Sequence, residues 1–412
     1  MQKISFVDIS NKRFRQQIFE AARTGESVAP HCAHAPPSGQ CGGCTFQDRV
    51  YPAQVAAKRA ALRSLWSDEL PNDLIATLDV VVSPSPFAYR TRMDFVASKD
   101  RFGLRRGGRF NYIIDLQECH LIPAHAFAAA RAVYEHAMAL GLPDYNLRTH
   151  TGFLRYVAVR RSPDDELLLA LVTAAPDEER VYAGKVERVA LAALEHPGVL
   201  GVHWLINPTR TDVSFGESVR HWGRATLPMR VGIRMLEIGP NTFFQNNVWL
   251  LMPLLNAVRD AVAAGGRAGA IADLYGGVGT IALHIADLAD RIVCIESVGE
   301  SVRLARDNSA RAGCEHIVAV ESDVADALGA QAPGAFDVVV ADPPRTGLGP
   351  DVCRELLRLR PRRIVYVSCN PLTQRDDIRT LRSGYRLASL QGYDMFPQTP
   401  HLEALAVLEV RG

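Results

Sequence analysis

Hydrophobic and polar positions change their period along the chain, and the changes divide it into regions. Residues 1–30 mix charged and apolar positions, which predicts a helical or partly extended arm. Over Ala53–Leu65 apolar residues recur at helical spacing, so a surface helix with an apolar stripe is expected. From Ser83 onward apolar and polar residues alternate around Tyr89–Ser98, Arg101–Leu104, Tyr112–Leu116, Leu154–Arg161 and Glu166–Thr173. Alternation of that kind predicts half-buried strands, and the stretch near Ala124–Leu140 reads as a helix among them. After a helical run from Trp249 to Ala264, broken at Gly265-Gly266, the pattern becomes one of short continuous apolar runs: Ile271–Leu274, Arg291–Ile295, Phe336–Ala341 and Arg363–Ser368. Such runs, separated by helical stretches such as Ile281–Leu288, are strands buried on both faces of a parallel sheet. A final strand is expected at Ala404–Val410. The expected organisation is an arm, cysteine loop and helix over 1–82, a strand-rich α+β region over 83–235, and an α/β region over 236–412.

A length of 412 residues with 48% hydrophobic content supplies ample core for such a division. No apolar run approaches the ~20 residues of a membrane span. The first residues, with Lys3, Asp8, Lys12, Arg13 and Arg15, lack the apolar stretch of a signal peptide, so a cytoplasmic location is expected. A net charge of +1 means that a site for a polyanion must be a local patch. One such patch is Arg90, Arg92, Lys99, Arg101, Arg105, Arg106 and Arg109, interleaved with Tyr89, Phe95, Phe102, Phe110 and Tyr112. Guanidinium groups match phosphates and rings stack on bases, which suits RNA. The plain alternative is a solvated hairpin with alternate residues in the core, and Asp94 and Asp100 dilute the charge.

Eight cysteines in a reducing compartment are read first as metal ligands or catalytic groups. Cys32, Cys41 and Cys44 fall in a loop rich in Pro, Gly and Ser, where Gly42 and Gly43 let the backbone fold around a metal centre. Cys119 is the best candidate for a fourth thiolate, and the set fits structural zinc or an iron–sulfur cluster. Cys294, Cys314 and Cys353 lie in strand or helical patterns and read as core. Cys369 is different: it follows the run Ile364–Ser368 and precedes the Asn370-Pro371 turn, so its thiol is presented where a buried strand leaves its sheet.

The strand Ile271-Ala272-Asp273-Leu274 runs into the glycine-rich turn Tyr275–Thr280, and Glu296 ends the next strand about 20 residues later. That describes an adenosyl cofactor. Asp273 before the turn fits S-adenosylmethionine better than a dinucleotide, whose pyrophosphate prefers an uncharged helix N-terminus. Asp273, Glu296, Asp342 and Cys369 each fall at the carboxyl end of a strand, the edge where open α/β sheets bind ligands. A thiol beside S-adenosylmethionine suits methylation at C5 of a pyrimidine. That carbon is a poor nucleophile until a thiolate adds to C6, and a base must afterwards remove the C5 proton.

These residues resemble the RNA uracil-C5 methyltransferases that act on 23S ribosomal RNA and on the tRNA T-loop. The matching motifs are Tyr-Arg-Thr-Arg-Met-Asp-Phe (89–95), Phe-Phe-Gln-Asn-Asn (243–247), Asp-Leu-Tyr-Gly-Gly-Val-Gly-Thr (273–280), Asp-Pro-Pro-Arg-Thr-Gly (342–347), Ser-Cys-Asn-Pro (368–371) and Asp-Met-Phe-Pro-Gln-Thr-Pro-His-Leu-Glu (394–403). The resemblance implies a Rossmann-like class I S-adenosylmethionine-dependent methyltransferase domain, with Cys369 as nucleophile and Glu403 as base. It also implies Gln245, Tyr275, Thr280, Glu296, Asp323 and Asp342 around the cofactor and target base. Members acting on ribosomal RNA commonly bind a [4Fe–4S] cluster through cysteines that fall here on Cys32, Cys41, Cys44 and Cys119, which favours iron–sulfur over zinc. The first cysteine gap, eight residues, is longer than the family's usual one, Thr280 stands where Asn is common, and Tyr275 where Phe is common. The N-terminal β-barrel that some members use for RNA binding is not expected before Cys32. The expected partner is therefore RNA, 23S ribosomal RNA first and tRNA as the alternative, with no membrane partner and a monomeric chain. Two other readings compete. An amino-group methyltransferase would place an aromatic ring after Asp-Pro-Pro, where Arg345 stands; a non-catalytic iron–sulfur RNA-binding or redox-sensing protein would leave the acidic sheet edge without a use.

Overall fold

Two sheets organise the chain, and a computed structural model describes residues 10–176 and 179–412 of it, with the side chains of Phe110 and Glu179 left aside. Residues 1–9 of the expected arm lie outside the described residues; from Asn11 to Arg23 the arm is a helix.

The first sheet has eight strands in the spatial order Val80–Val81, Tyr385–Tyr393, Glu403–Val410, Arg363–Ser368, Val338–Ala341, Ala268–Leu274, Ala289–Glu296 and Ile317–Glu321. From Arg363–Ser368 to Ile317–Glu321 the strands are parallel. Their buried Val, Ile, Leu and Ala side chains explain the continuous apolar runs, because helices cover both faces. The chain leaves Ala268–Leu274 in one direction through Ala289–Glu296 and Ile317–Glu321, then returns to its other side with Val338–Ala341. The carboxyl ends of Ala268–Leu274 and Val338–Ala341 are thus the point where the winding reverses, and a crevice opens there. Glu403–Val410 lies antiparallel to both of its neighbours.

Helices Leu251–Ala263, Thr280–His284 and Gly299–Arg311 cover one face. On the other face, helices Val324–Gly329, Gly349–Leu359 and Pro371–Leu381 are joined by the N-terminal helices Asn11–Arg23 and Tyr51–Trp66. The helix expected to lie on the surface is therefore part of this layer, and even its polar residues Gln54 and Lys58 are fully buried.

The second sheet has seven strands in the order Arg109–Asp115, Arg101–Arg106, Arg92–Ser98, Leu154–Arg161, Leu167–Thr173, Val199–Ile206 and Glu217–Gly223. Its pairings are antiparallel except for Leu167–Thr173 with Val199–Ile206, which the crossover helix Glu179–Leu194 connects. Helices Ala124–Ala139 and Glu179–Leu194 cover one face over Phe95, Phe102, Val157 and Trp204. A hairpin, Leu227–Val231 with Arg234–Ile238, packs into the core of the first sheet beside helix Gly299–Arg311, where the Glu237 N–H donates to the Asn308 Oδ1 at 2.8 Å.

Three segments knit the sheets together. The Thr91 N–H donates to the Asn246 carbonyl at 3.2 Å, the Val248 N–H to the Tyr89 carbonyl at 3.0 Å, and the buried Tyr89 hydroxyl to the Pro397 carbonyl at 3.0 Å. Segments 89–95, 243–247 and 394–403, far apart in sequence, therefore meet.

Candidate active site

Asp273 is the penultimate residue of strand Ala268–Leu274, at the reversal point, and is fully buried; its Oδ2 accepts from the Ala282 N–H at 3.0 Å. Burial pushes its pKa up to about 7, with that N–H pulling the other way. Between them the backbone turns through positive φ at Tyr275 (58°), Gly277 (55°) and Gly279 (83°). Gly276 has no room for a side chain, since a Cβ there would sit 2.3 Å from the Cys294 Sγ. Glu296 pins the turn from the next strand: its Oε2 accepts from the Gly277 N–H at 3.1 Å, and its Oε1 from the Ser297 and Val298 N–H groups at 2.8 and 2.9 Å. The turn forms one wall of a narrow cleft, lined also by Phe243, Gln245, Thr280, Ile281, Asp342 and Val367. Gln245, Tyr275, Thr280 and Asp342 thus share one cleft. Glu296 and Asp323 stand outside its lining, and Asp323 is exposed and caps helix Val324–Gly329 through the Ala325 N–H at 2.8 Å.

Beside the cleft the sheet register brings two further groups together. Ser368 pairs with Ala404 in the antiparallel ladder between strands Arg363–Ser368 and Glu403–Val410, so one step onward Cys369 stands opposite Glu403. The turn after Ser368 is held by the Asn370 N–H donating to the Ser368 Oγ at 3.1 Å, while the Asn370 Nδ2 donates to the Arg345 carbonyl at 2.9 Å. Cys369 consequently sits among Glu403, Asp342 and Arg345.

Their charges are linked. Burial pushes the Cys369 thiol up to about 12, the Glu403 and Asp342 carboxylates add to the rise, and the Arg345 guanidinium opposes it. Burial followed by Asp342 pushes Glu403 well above the usual carboxylate range, again against Arg345. Asp342 rises to about 7 through burial, eased by the Gln245 Nε2 donating to its Oδ2 at 2.6 Å. Arg345 is a functional candidate that the motifs alone do not assign. A signal for it exists: it lies three residues past Asp342 on the same sheet edge.

Cys32, Cys41, Cys44 and Cys119 line a single small cavity together with Gln47, Leu104 and Leu121. The Gly43 N–H donates to the Cys41 Sγ at 3.4 Å and the Gln47 Nε2 to the Cys44 Sγ at 3.2 Å. Burial raises these thiols, Cys44 and Cys119 to about 12, and the buried Arg90 guanidinium opposes the rise at both. Among the described residues no three His, Cys, Asp or Glu side chains close on one point tightly enough to hold a single metal ion. The four cysteines of the expected metal set thus line one cavity without forming a ready group for a single ion.

The expected RNA patch is smaller than its sequence. Tyr89, Phe95 and Phe102 are buried in the core, Arg92 pairs with Asp94, and Arg105 donates to Asp212 at 2.6 Å. Arg109 is exposed, and Arg101 and Arg106 lie over the exposed Tyr112 ring, 4.4 and 5.8 Å from its centre. Among the described residues no helix is long and apolar enough to cross a membrane.

A doubly wound sheet with a glycine-rich turn, an acidic strand end and an antiparallel strand inserted near one edge defines a class I S-adenosylmethionine-dependent methyltransferase. The family model described as "Methyltransferase small domain" matches residues 250–359, and that described as "tRNA (Uracil-5-)-methyltransferase" matches 332–411. An uncharacterized RNA methyltransferase of Nitratidesulfovibrio vulgaris is 34% identical over 96% of this chain and 86% of its own. The tRNA (uracil(54)-C(5))-methyltransferase of Pyrococcus horikoshii is 32% identical over 90% of this chain and 84% of its own. The crystal structure of the Pyrococcus abyssi tRNA (uracil-54, C5)-methyltransferase with S-adenosyl-L-homocysteine is similar with a TM-score of 0.74, at 29% identity, covering 90% of this chain and 86% of that one. The chain belongs to the RNA uracil-C5 methyltransferase family, whose reaction is S-adenosylmethionine-dependent methylation of uracil at C5.

Proposed function

We propose that this protein methylates C5 of a uridine in transfer RNA, with Cys369 as nucleophile and Glu403 as base. The observation that carries the reading is the strand register that sets Cys369 opposite Glu403 beside the cleft. The cysteine set favours 23S ribosomal RNA, but the similar proteins that are named for a substrate are tRNA enzymes, and this favours transfer RNA.

The residues lining the cleft, Gln245, Tyr275, Thr280 and Asp342, with Glu296 and Asp323 at its approaches, are assigned to the cofactor and target base. When bound, S-adenosylmethionine supplies the methyl group. Cys369 adds its sulfur to C6 of the ring and turns the C5–C6 double bond into an enolate, which makes C5 nucleophilic. Its high resting pKa means the thiol is protonated until the site is engaged, and Arg345 is the cation placed to favour the thiolate. After methylation Glu403 takes the C5 proton, the C5=C6 bond re-forms, and the C6–S bond breaks to return the thiolate. Burial makes Glu403 a stronger base than an exposed carboxylate.

The four-cysteine cavity fits an all-sulfur metal site: its donors are thiols, N–H groups point at two of them, and Arg90 balances thiolate charge. A [4Fe–4S] cluster, in which each thiolate would bind its own iron, is the group we assign to this cavity, with a four-thiolate zinc as the alternative.

The test is methyl transfer from labelled S-adenosylmethionine to transcribed tRNA and to 23S ribosomal RNA fragments. The tRNA should be labelled and Cys369→Ala should abolish labelling. Glu403→Gln should lose roughly 10²–10⁴ in turnover and accumulate a methylated RNA–protein adduct on a denaturing gel. Labelling of ribosomal RNA alone would restore that substrate, and wild-type turnover by Glu403→Gln would remove Glu403 from the mechanism.

A further inference from the structure

The loop 394–402 joins strand Tyr385–Tyr393 to strand Glu403–Val410, whose first residue is Glu403. Tyr393 and Glu403 are cross-strand partners, so the loop leaves and re-enters the sheet at the proposed base. Its shape therefore sets where the Glu403 carboxyl points.

Helix Tyr51–Trp66 grips this loop with two side chains one helical turn apart. Lys58 donates from Nζ to the Asp394 Oδ1 at 2.5 Å and to the Phe396 carbonyl at 3.1 Å. Gln54 and Gln398 exchange hydrogen bonds: the Gln54 Nε2 donates to the Gln398 Oε1 at 3.0 Å, and the Gln398 N–H donates to the Gln54 Oε1 at 3.1 Å. The same Nε2 also reaches the Phe46 and Arg49 carbonyls at 3.0 Å, which ties the grip to the end of the cysteine loop. From that loop the Thr45 and Phe46 N–H groups donate to the Gln398 carbonyl at 2.6 and 3.2 Å.

Gln398 itself has φ 67°, a left-handed conformation that a side-chain-bearing residue keeps only when its surroundings enforce it. Lys58, Asp394 and Gln54 are wholly buried and Gln398 nearly so. A buried ion pair is a weak source of net stability, because desolvation offsets its attraction, but it is strict about geometry.

We infer that Gln54 and Lys58 are positioning residues for the elimination step: they fix the loop 394–402 so that the Glu403 carboxylate meets the C5 proton. This rests on the assignment of Glu403 as base. In that step the C5–H electron pair becomes the C5=C6 double bond, the proton goes to Glu403, and the C6–S pair leaves with Cys369. Cys369 follows strand Arg363–Ser368, which the loop does not carry, so adduct formation does not need the grip. Loosening the grip should slow release and leave entry intact.

The test uses two independent lesions in the full-length protein, each chosen to keep the core filled. Gln54→Met removes the hydrogen bonds and retains the volume; Lys58→Met with Asp394→Asn removes both charges together, so neither is left buried and alone. Each should bind S-adenosylhomocysteine like the wild type, form the RNA adduct at the wild-type rate, and resolve it roughly 10–10²-fold more slowly, so that the adduct accumulates. Added to Glu403→Gln, neither lesion should slow resolution further, because both act through the same carboxylate. If Glu403→Gln accumulates adduct and the two lesions do not, or if their losses multiply with that of Glu403→Gln, the positioning role is overturned while the base assignment stands. If Glu403→Gln itself accumulates none, both are overturned.

Discussion

Asp342 and Glu403 face one thiol from two strands, and neither titrates alone. Burial raises both carboxyls, Asp342 raises Glu403 further, and both raise Cys369, so near neutrality the pair keeps a proton that two exposed carboxylates would have lost. The base must be ionised to work, so the resolving step should speed up as pH rises through the pair's titration. Asp342→Asn removes one negative charge; Glu403 and Cys369 then ionise more readily, and the rising limb should move to lower pH by about one unit. Single-turnover resolution of the adduct as a function of pH checks this, reading the position of the limb rather than its height, because Asp342 also lines the cleft. An unmoved limb would mean that Asp342 does not share the proton. At this scale the sequence was informative where chemistry coincides with a strand end. Cys369, Asp342 and Asp273 stand there, and a short apolar run announces each. Glu403 was not legible in that way, since its place depends on a ladder register between residues more than thirty apart, and Arg345 carries no periodic signal at all.

The hairpin Arg101–Asp115 and the helix Tyr51–Trp66 show what a period can and cannot convey about an element. Alternation in the hairpin correctly separates inward Phe102 from outward neighbours, but it treats all arginines alike. In the fold they divide. Arg105 is held by Asp212 and Tyr156 and its carbonyl accepts from the Gly42 N–H at 2.8 Å, whereas Arg106 and Arg101 lie over Tyr112 and Arg109 is exposed. Replacing Arg101, Arg106 and Arg109 with alanine should weaken binding to RNA of any sequence and flatten the log–log salt dependence by about 0.7–0.9 for each phosphate no longer neutralised. Filter binding at several salt concentrations reads both effects, and an unchanged slope would return the hairpin to a scaffold role. Arg105→Ala should act mainly on stability, losing on the order of 1–3 kcal/mol in a denaturant titration as a charged hydrogen bond disappears. The helix escapes a local reading for a different reason. Gln54 and Lys58 look like solvent-facing positions, and their partners Gln398 and Asp394 lie 344 and 336 residues away, beyond the reach of any local pattern.

Across the whole molecule the cysteine loop is a joint. It bonds to the hairpin tip through the Gly42 and Gly107 N–H groups, to the loop of the proposed base through Thr45 and Phe46, and to the Leu116–Leu121 segment around the shared cavity. Strand period is a local property, so the alternating and the continuously apolar strands are legible in the sequence, and so is the cluster Cys32, Cys41 and Cys44; Cys119, which lines the same cavity, lies 75 residues beyond Cys44. The way the pieces are fastened depends on pairings between distant segments, and the sequence carries it only implicitly. Ligation at Cys32, Cys41, Cys44 and Cys119 would close this joint with bonds far stronger than the hydrogen bonds around it. Protein purified without oxygen should therefore be brown, with a broad charge-transfer absorbance from thiolate-bound iron, and Cys41→Ser or Cys44→Ser should remove the colour. The same variants should be cut faster by protease within residues 30–47, where the chain has lost its anchor, while the α/β sheet keeps its protection. Mass spectrometry of the fragments and metal analysis on the same samples separate the outcomes. Colourless wild-type protein with one equivalent of zinc would replace the cluster, and a loop equally resistant with and without its cysteines would show that Gln54 and Gln398 hold the joint by themselves.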